Sequence, residues 1–286
     1  MAAPYLMLAL NPGQSSARPG RLPRPCQTGD MSPGERHRAQ AASFGAAAAA
    51  YERGRPPYPP LAVDWLLPEG AGHVLDLGAG TGKLTRQLLG RGLEVTAVEP
   101  SDGMRDQLCQ AVPGATVLAG TAEHIPLPDH SVDAVLVAQA WHWVDPAAAV
   151  PEVARVLSPG GWLGLLWNVR DEREDWVAGL STIMRGRREG YGSSEPDTYA
   201  VSQAPQVGPP FGPAERRNIP WVHRFPPDLL DDMITSRSYV ITLPAADREA
   251  LLSEVHQLVR THPALAGAGE IALPYVTRCW RARRPP

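Results

Sequence analysis

Asp76 stands two positions ahead of three alternate glycines, Gly78, Gly80 and Gly82, and Glu99 follows 17 residues after the last of them. An acid inside the apolar run Val74-Leu75-Asp76-Leu77 is costly in a strand unless it meets a partner there. Glycines at a bend from strand into helix let a ligand approach the backbone, and the first turn of a helix presents amide groups to it. The loop reads G-x-G-x-G, with Ala79 as its first spacer, and not the G-x-G-x-x-G that sets a pyrophosphate over a helix start. A carboxylate two positions before the first glycine would repel a diphosphate and suit a nucleoside that carries an ammonium group. Glu99, at the end of the next strand, can accept both hydroxyls of a ribose, which serves either cofactor class. S-adenosylmethionine has an α-ammonium, a sulfonium and a free carboxylate, and it answers these acids; a nicotinamide dinucleotide is the competing reading.

A second group of chemistry-bearing residues lies at "QAWHWVD", residues 139–145. Trp141 and Trp143 can wall a substrate pocket, and His142 can take a proton from a hydroxyl or amine acceptor. An acidic acceptor would need cations instead, and Arg53, Arg55, Arg170 and Arg237 are candidates, with Tyr51, Tyr58 and Tyr239 lining the same cavity. Metal chemistry is not expected. His256 and His262 have no acidic or cysteine companions nearby, and Cys26, Cys109 and Cys279 are too far apart for a metal spacing or a disulfide framework.

Both groups must be held by regular elements. The segment before residue 54 reads as a short helix ended by Gly54, followed by the proline-stiffened "RPPYPP" and a helix over 61–67. Strand and helix then alternate: strand 73–77, helix 82–90, strand 94–98, a helix that Ser101 can cap, strand 115–118, strand 132–138, helix 146–156 and strand 161–167. "VDAVLVA" is apolar almost throughout, as a strand covered on both faces should be. "SPGG" reads as a helix stop and a tight turn before the fifth strand. Past residue 168 the pattern changes to a charged helix over 171–190, a polar stretch over 190–214, strand 215–224, helices 226–237 and 244–260, and strand 271–282. The expected fold is α/β: a Rossmann-like doubly wound sheet of seven strands, mostly parallel, with an antiparallel C-terminal edge. The expected parts are a disordered extension (1–35), a helical N-terminal lid (36–60), a nucleotide-binding core (61–170), and a C-terminal part with a helical substrate cap and the last strands (171–286).

"VLDLGAGTG" (74–82), "VTAVEPSDGM" (95–104), "GTAEHIPLPDHSVDAVLVAQAWHWVD" (120–145) and "VARVLSPGGWLGLLWNVRD" (153–171) together resemble the class I S-adenosylmethionine-dependent methyltransferases. The resemblance is nearest to the small-molecule methyltransferase type 11 group, which includes trans-aconitate methyltransferase-like proteins. It implies that Asp76 and the 78–82 backbone hold the methionine end of the cofactor and that Glu99 holds the ribose. It implies that Ser101 and Met104 flank the adenine and that Thr121, Ala122 and Glu123 cap its edge. The family often has Asp where this chain has Thr121, and a hydroxyl accepts more weakly than a carboxylate. Gln139 and Ala140 would lie beside the reactive methyl. Tyr51, Arg55, Trp141, Trp143, Arg237 and Tyr239 are the candidate substrate-binding residues, and His142 is the candidate catalytic one.

The chain has 286 residues, 43% of them hydrophobic, enough for one large core or two small ones. A formal net charge of −3 leaves no electrostatic footprint for nucleic acid. Lys83 is the single lysine, a compositional habit beside many arginines. No apolar run approaches the ~20 residues of a membrane helix, and "YLMLAL" lacks a leader's flanks. A cytoplasmic monomer or homodimer that methylates a small molecule is expected, and Met31 is a candidate start because ordered-looking sequence begins only after it. The rivals are an NAD(P)-dependent oxidoreductase and a non-catalytic S-adenosylmethionine-binding protein.

Overall fold

The computed structural model describes residues 48–188 and 205–286. The expected extension over 1–35, the first part of the lid and most of the polar stretch after 190 lie outside the described residues. The chain opens with α1 (Ala48–Gly54) and α2 (Pro60–Leu66), then β1 (His73–Leu77), α3 (Lys83–Leu89), β2 (Glu94–Val98), α4 (Asp102–Ala111), β3 (Thr116–Leu118) and β4 (Val132–Ala138). A 3-10 turn (Trp141–Trp143) leads into α5 (Pro146–Val156) and β5 (Leu157–Arg170). The remainder comprises α6 (Asp175–Arg188), β6 (Glu215–Phe225), α7 (Leu229–Thr235), α8 (Ser238–Ile241), α9 (Ala245–Thr261) and β7 (Ile271–Arg283).

Seven strands form one sheet in the order β3-β2-β1-β4-β5-β7-β6. Pairing is parallel from β3 to β5, whereas β7 runs antiparallel to both β5 and β6. The doubly wound sheet with an antiparallel edge is thus as the sequence predicts. Alternation along the strands divides the core between the two faces. Leu75, Val135, Leu163 and Leu165 pack with Val150 and Val153 of α5. Val74, Ala134, Leu136 and Leu166 face Val63 and Leu66 of α2 and Leu84 and Leu88 of α3. Gly164 matters here, because a Cβ on it would lie 2.5 Å from Leu136 Cδ2 and 3.2 Å from Leu66 Cδ2.

A second apolar cluster forms the cap. Trp176, Val177 and Leu180 of α6 meet Met233 and Ile234 of α7, Leu251 and Val255 of α9, and the Ile271–Tyr275 end of β7. Capping residues set some helix starts: Pro60 occupies the first turn of α2, and Asp145 Oδ1 accepts from Ala147 N at 3.0 Å ahead of α5. Ser101 holds the N-cap position of α4, but its side chain makes no capping bond. Three other expectations are corrected. "SPGG" is absorbed into β5, whose pairing with β4 shifts register between Val132 and Ala134. The helix expected over 226–237 ends at Thr235, with α8 as a separate turn beyond it, and α6 begins at Asp175.

Candidate functional site

β1 is flanked by β2 and β4, whose connections leave in opposite directions, so a crevice opens beyond the carboxyl ends of β1 and β4. The glycine bend lies at its edge. Gly78, Gly80 and Gly82 have φ of 72°, 57° and 88°, a region that side chains resist. A Cβ on Gly78 would also come within 2.8 Å of Ala140 Cβ, so the bend fits tightly against the end of β4. The amides of the bend are spent internally: Gly78 N and Ala79 N donate to Val98 O (2.8 and 3.2 Å), Gly80 N to Glu99 Oε2 (2.9 Å) and Gly82 N to Ala79 O (3.0 Å). The expectation that this helix start offers open amides is therefore corrected at these four positions. The bend allows close approach without forming a diphosphate cradle.

Asp76 is fully buried. Its Oδ2 accepts from the Thr85 hydroxyl at 2.6 Å, and its Oδ1 has no hydrogen-bond partner among the described residues. Burial pushes the carboxyl up to about 7; the Thr85 bonds pull it down and the charge of Glu99 pushes it further up. An orphaned buried oxygen costs about 1–3 kcal/mol until a donor reaches it. An ammonium is such a donor, so the acid and the tight bend fit the amino-acid end of S-adenosylmethionine. Glu99 is nearly buried, and its Oε2 and Oε1 accept from Gly80 N and Ser101 N, each at 2.9 Å. Burial raises its pKa, opposed by these two backbone bonds. A carboxylate has roughly four acceptor sites, so lone pairs remain for a diol.

The cleft over Asp76 has an empty space of about 420 Å³, open solvent at its mouth included. Tyr51, Arg55 and Tyr58 from the lid roof it, Asp76, Thr81 and Lys83 line one wall, and Ala138 and Gln139 line the other. Tyr58 is buried, and burial lifts its phenol well above its ordinary value, helped by Tyr51 and Asp76. Gln139 keeps φ at 59°, unusual for a side-chain-bearing residue, while its Nε2 reaches Asn168 O at 3.3 Å. Glu52 fastens the lid to α3: its Oε2 accepts from the Thr81 hydroxyl at 2.6 Å and its Oε1 from Arg86 Nη2 at 2.9 Å. On the other side Arg53 makes a two-pronged bond to Asp232 of α7, at 2.7 and 3.0 Å.

Among the sequence-predicted residues, the cleft brings together Tyr51, Arg55, Asp76, Gly78, Ala79 and Gln139, with Ala140 against the bend. Trp141 instead packs into the core beside α5, 4% exposed, and Tyr239 into the cap core at the same exposure. His142 Nδ1 faces the Trp167 indole N–H at 3.5 Å, and its ring tilts against Trp143 at 5.0 Å. Arg237 takes the N-cap position of α8. Met104 is buried in α4, and Thr121 closes a small loop through reciprocal bonds with His124, both 3.3 Å. Ala122 is buried behind that loop, and Glu123 Oε1 accepts from Asp145 N at 2.9 Å. Sequence reasoning missed Thr81, Lys83 and Glu52. Lys83 alone left a trace there, as the sole lysine directly after the third glycine, but it reads as composition. Among the described residues there is no cluster able to hold a metal ion and no helix long and apolar enough to cross a membrane.

Comparison with known proteins adds relatives. A family model described as "Methyltransferase domain" matches residues 75–165. An uncharacterized methyltransferase of Mycobacterium tuberculosis is 56% identical over 240 residues, 84% of this chain and 95% of the relative. An uncharacterized methyltransferase-like protein of Schizosaccharomyces pombe is 34% identical over 242 residues, 82% of this chain and 93% of its own. Among solved structures, a chain from Anaeromyxobacter dehalogenans provisionally named a type II methyltransferase superposes with a TM-score of 0.61 at 26% identity, covering 81% of this chain and 99% of that one.

Proposed function

This chain belongs to the class I S-adenosylmethionine-dependent methyltransferases, and from that premise we propose that it methylates a small-molecule acceptor bearing a carboxylate, hydroxyl or amine. The observation that carries the cofactor reading is the buried Asp76 Oδ1, without a partner among the described residues and beside a bend with four amides already used. Bound there, S-adenosylmethionine supplies an electrophilic methyl group. Asp76 holds the ammonium, Glu99 accepts from the ribose hydroxyls, and Ser101, Met104 and the Thr121–Glu123 loop enclose the base. Gln139 and Ala140 border the space left for the acceptor, and Tyr51 and Arg55 of the lid close over it. Residues 36–60 then act as lid, 61–170 as cofactor core and 171–286 as cap.

Rate enhancement in this reading comes chiefly from alignment and exclusion of water, which can supply on the order of 7–11 kcal/mol. His142 would act as a base only by giving up its contact with Trp167, so a deprotonated or readily deprotonated acceptor suits the site.

Titration calorimetry with S-adenosylmethionine tests the cofactor site. Asp76→Ala and Glu99→Ala are each expected to weaken binding by about tenfold or more, the loss of one charged hydrogen bond. Unchanged affinity in a folded double variant rejects the site. Incubation with a metabolite extract and an isotope-labelled methyl donor then identifies the acceptor from the labelled product.

A further inference from the structure

Three kinds of nucleophile can enter a methyl-transfer site, and each asks something different of it. A hydroxyl needs a base, a carboxylate needs a cation, and a neutral amine needs one acceptor for its N–H. Among the described residues that line the cleft there is no histidine, and Asp76 is the one carboxylate, facing the cofactor's ammonium in the reading above. His142 lies outside that lining and faces the Trp167 indole. The cations of the lining are engaged elsewhere. Lys83 Nζ donates to the Glu52 backbone carbonyl with the Glu52 carboxylate 3.7 Å away. Arg55 stacks 4.9 Å from the Tyr51 ring centroid and donates to Ser236 O at 3.1 Å. A carboxylate in the cleft would have to draw one of them off its partner, and a buried carboxylate without a cation is costly.

Gln139 meets the third need. It lines the cleft directly after β4, beside Ala140, which lies against the glycine bend. Its backbone N donates to Leu166 O at 2.9 Å, and its φ of 59° is one that a side-chain-bearing residue keeps only where its surroundings impose it. Its Nε2 donates to Asn168 O at 3.3 Å. A backbone carbonyl only accepts, so this bond fixes which end of the amide is nitrogen. Asn168 is itself held, since its Oδ1 accepts from the Thr277 hydroxyl at 2.6 Å and its Nδ2 donates to Pro57 O of the lid at 2.9 Å. The Gln139 amide cannot turn over without losing its bond, and no donor among the described residues reaches its Oε1. That oxygen repels a carboxylate and accepts from an N–H.

We propose, on the reading of this cleft as the methyl-transfer site, that the acceptor is a neutral amine whose N–H is received by Gln139 Oε1, and that Gln139 selects it against a carboxylate. Removal from water favours the uncharged form of the amine, which carries its own lone pair and needs no protein base. The amine nitrogen bonds to the methyl carbon with that pair, the methyl–sulfur bond breaks with its electrons left on sulfur, and the product leaves as the methylated ammonium. Tyr51 and Tyr58 in the same lining suit the positive charge that builds on nitrogen.

The first test needs no variant. The full chain is incubated with a metabolite extract and isotope-labelled methyl donor, and the resonance of the labelled methyl group is read by NMR. An N-methyl product is expected. A methyl ester, a methyl ether, or a methyl on any atom but nitrogen overturns the proposal while the methyltransferase reading stands. No labelled product at all removes that reading, and the proposal with it.

The second test uses the amine so identified. Calorimetry follows its binding to the chain saturated with S-adenosylhomocysteine. Gln139→Met keeps the length of the side chain and removes the acceptor. It is expected to weaken the amine by about tenfold or more and to leave S-adenosylhomocysteine within about twofold. Unchanged affinity for the amine overturns the role of Gln139. An equal loss for both ligands also overturns it, because Gln139 then serves the cofactor and not the choice of acceptor.

Discussion

Asp76 retains a proton that an aspartate in the unfolded chain would shed, because burial lifts its carboxyl from 3.8 to about 7. Between those values the folded state binds more protons than the unfolded one, so the stability of the ligand-free protein falls as pH rises through the window. Glu99, also raised, acts in the same direction. Glu152 acts oppositely: Arg155 holds it at about 2, so its contribution is lost only as pH falls from 4.5 toward that value, overlapping the Asp76 window only at its acid end. The thermal midpoint is expected to drop between about pH 5 and pH 7, and Asp76→Asn to remove most of that slope. Cofactor affinity should run the other way, climbing up to about pH 7 as Asp76 ionises to meet the ammonium; a flat calorimetric profile would contradict the role given to Asp76. Asp76 and Glu99 were legible in the sequence because an acid in an apolar strand and another at the next strand's end need a reason. Lys83 was not, because one lysine among many arginines reads as composition until the fold sets it beside Glu52. Trp141 could not be assigned a side either, since a 3-10 turn of three residues sends each side chain about 120° from the last and leaves no repeat to read.

α1 is held by two adjacent residues of its last turn, to α3 through Glu52 and to α7 through Arg53. Gly54 lets it lie directly on α7: an added Cβ would sit 2.3 Å from the Asp232 carbonyl carbon and oxygen and 2.5 Å from Met233 N. Those are backbone atoms and cannot swing aside. Gly54→Ala should therefore lift the lid off the cap and cost about 1–3 kcal/mol in denaturant titration. An unchanged midpoint would mean that α1 does not pack in this way. From sequence, Gly54 was legible as a helix stop and its contact with α7 was not, because the partner lies 178 positions further along. The split between α7 and α8 was hidden for a related reason. Apolar residues at Leu230, Met233, Ile234 and Val240 keep helical spacing, and the turn at Ser236 shows only in three dimensions.

Among the described residues, β7 joins the apolar cluster of the cap to those on the main sheet. Its Ile271, Leu273 and Tyr275 belong to the cap cluster, and its Cys279, Trp280 and Ala282 to the clusters on the main sheet. Arg281 on the same strand lies over Trp65 at 4.4 Å and Trp162 at 4.6 Å and ties β7 to α2. Burial pushes the Cys279 thiol up to about 12, whereas Cys109 is exposed. In peptide-mapped thiol labelling Cys109 should react promptly, and Cys279 only when the sheet opens between β5 and β6. Comparable rates would mean that β7 does not shield Cys279 between β5 and β6. The strand count and the antiparallel edge could be read from the change of pattern after residue 168, but the place of β7 could not, since periodicity carries no information on neighbours. That place bears on biosynthesis. Among the described residues β6 has no sheet partner except β7, which is translated some fifty residues later. A ribosome-bound chain therefore carries the Ile219–Phe225 stretch with both edges open until β7 emerges, and in that interval chaperone capture competes with misassembly.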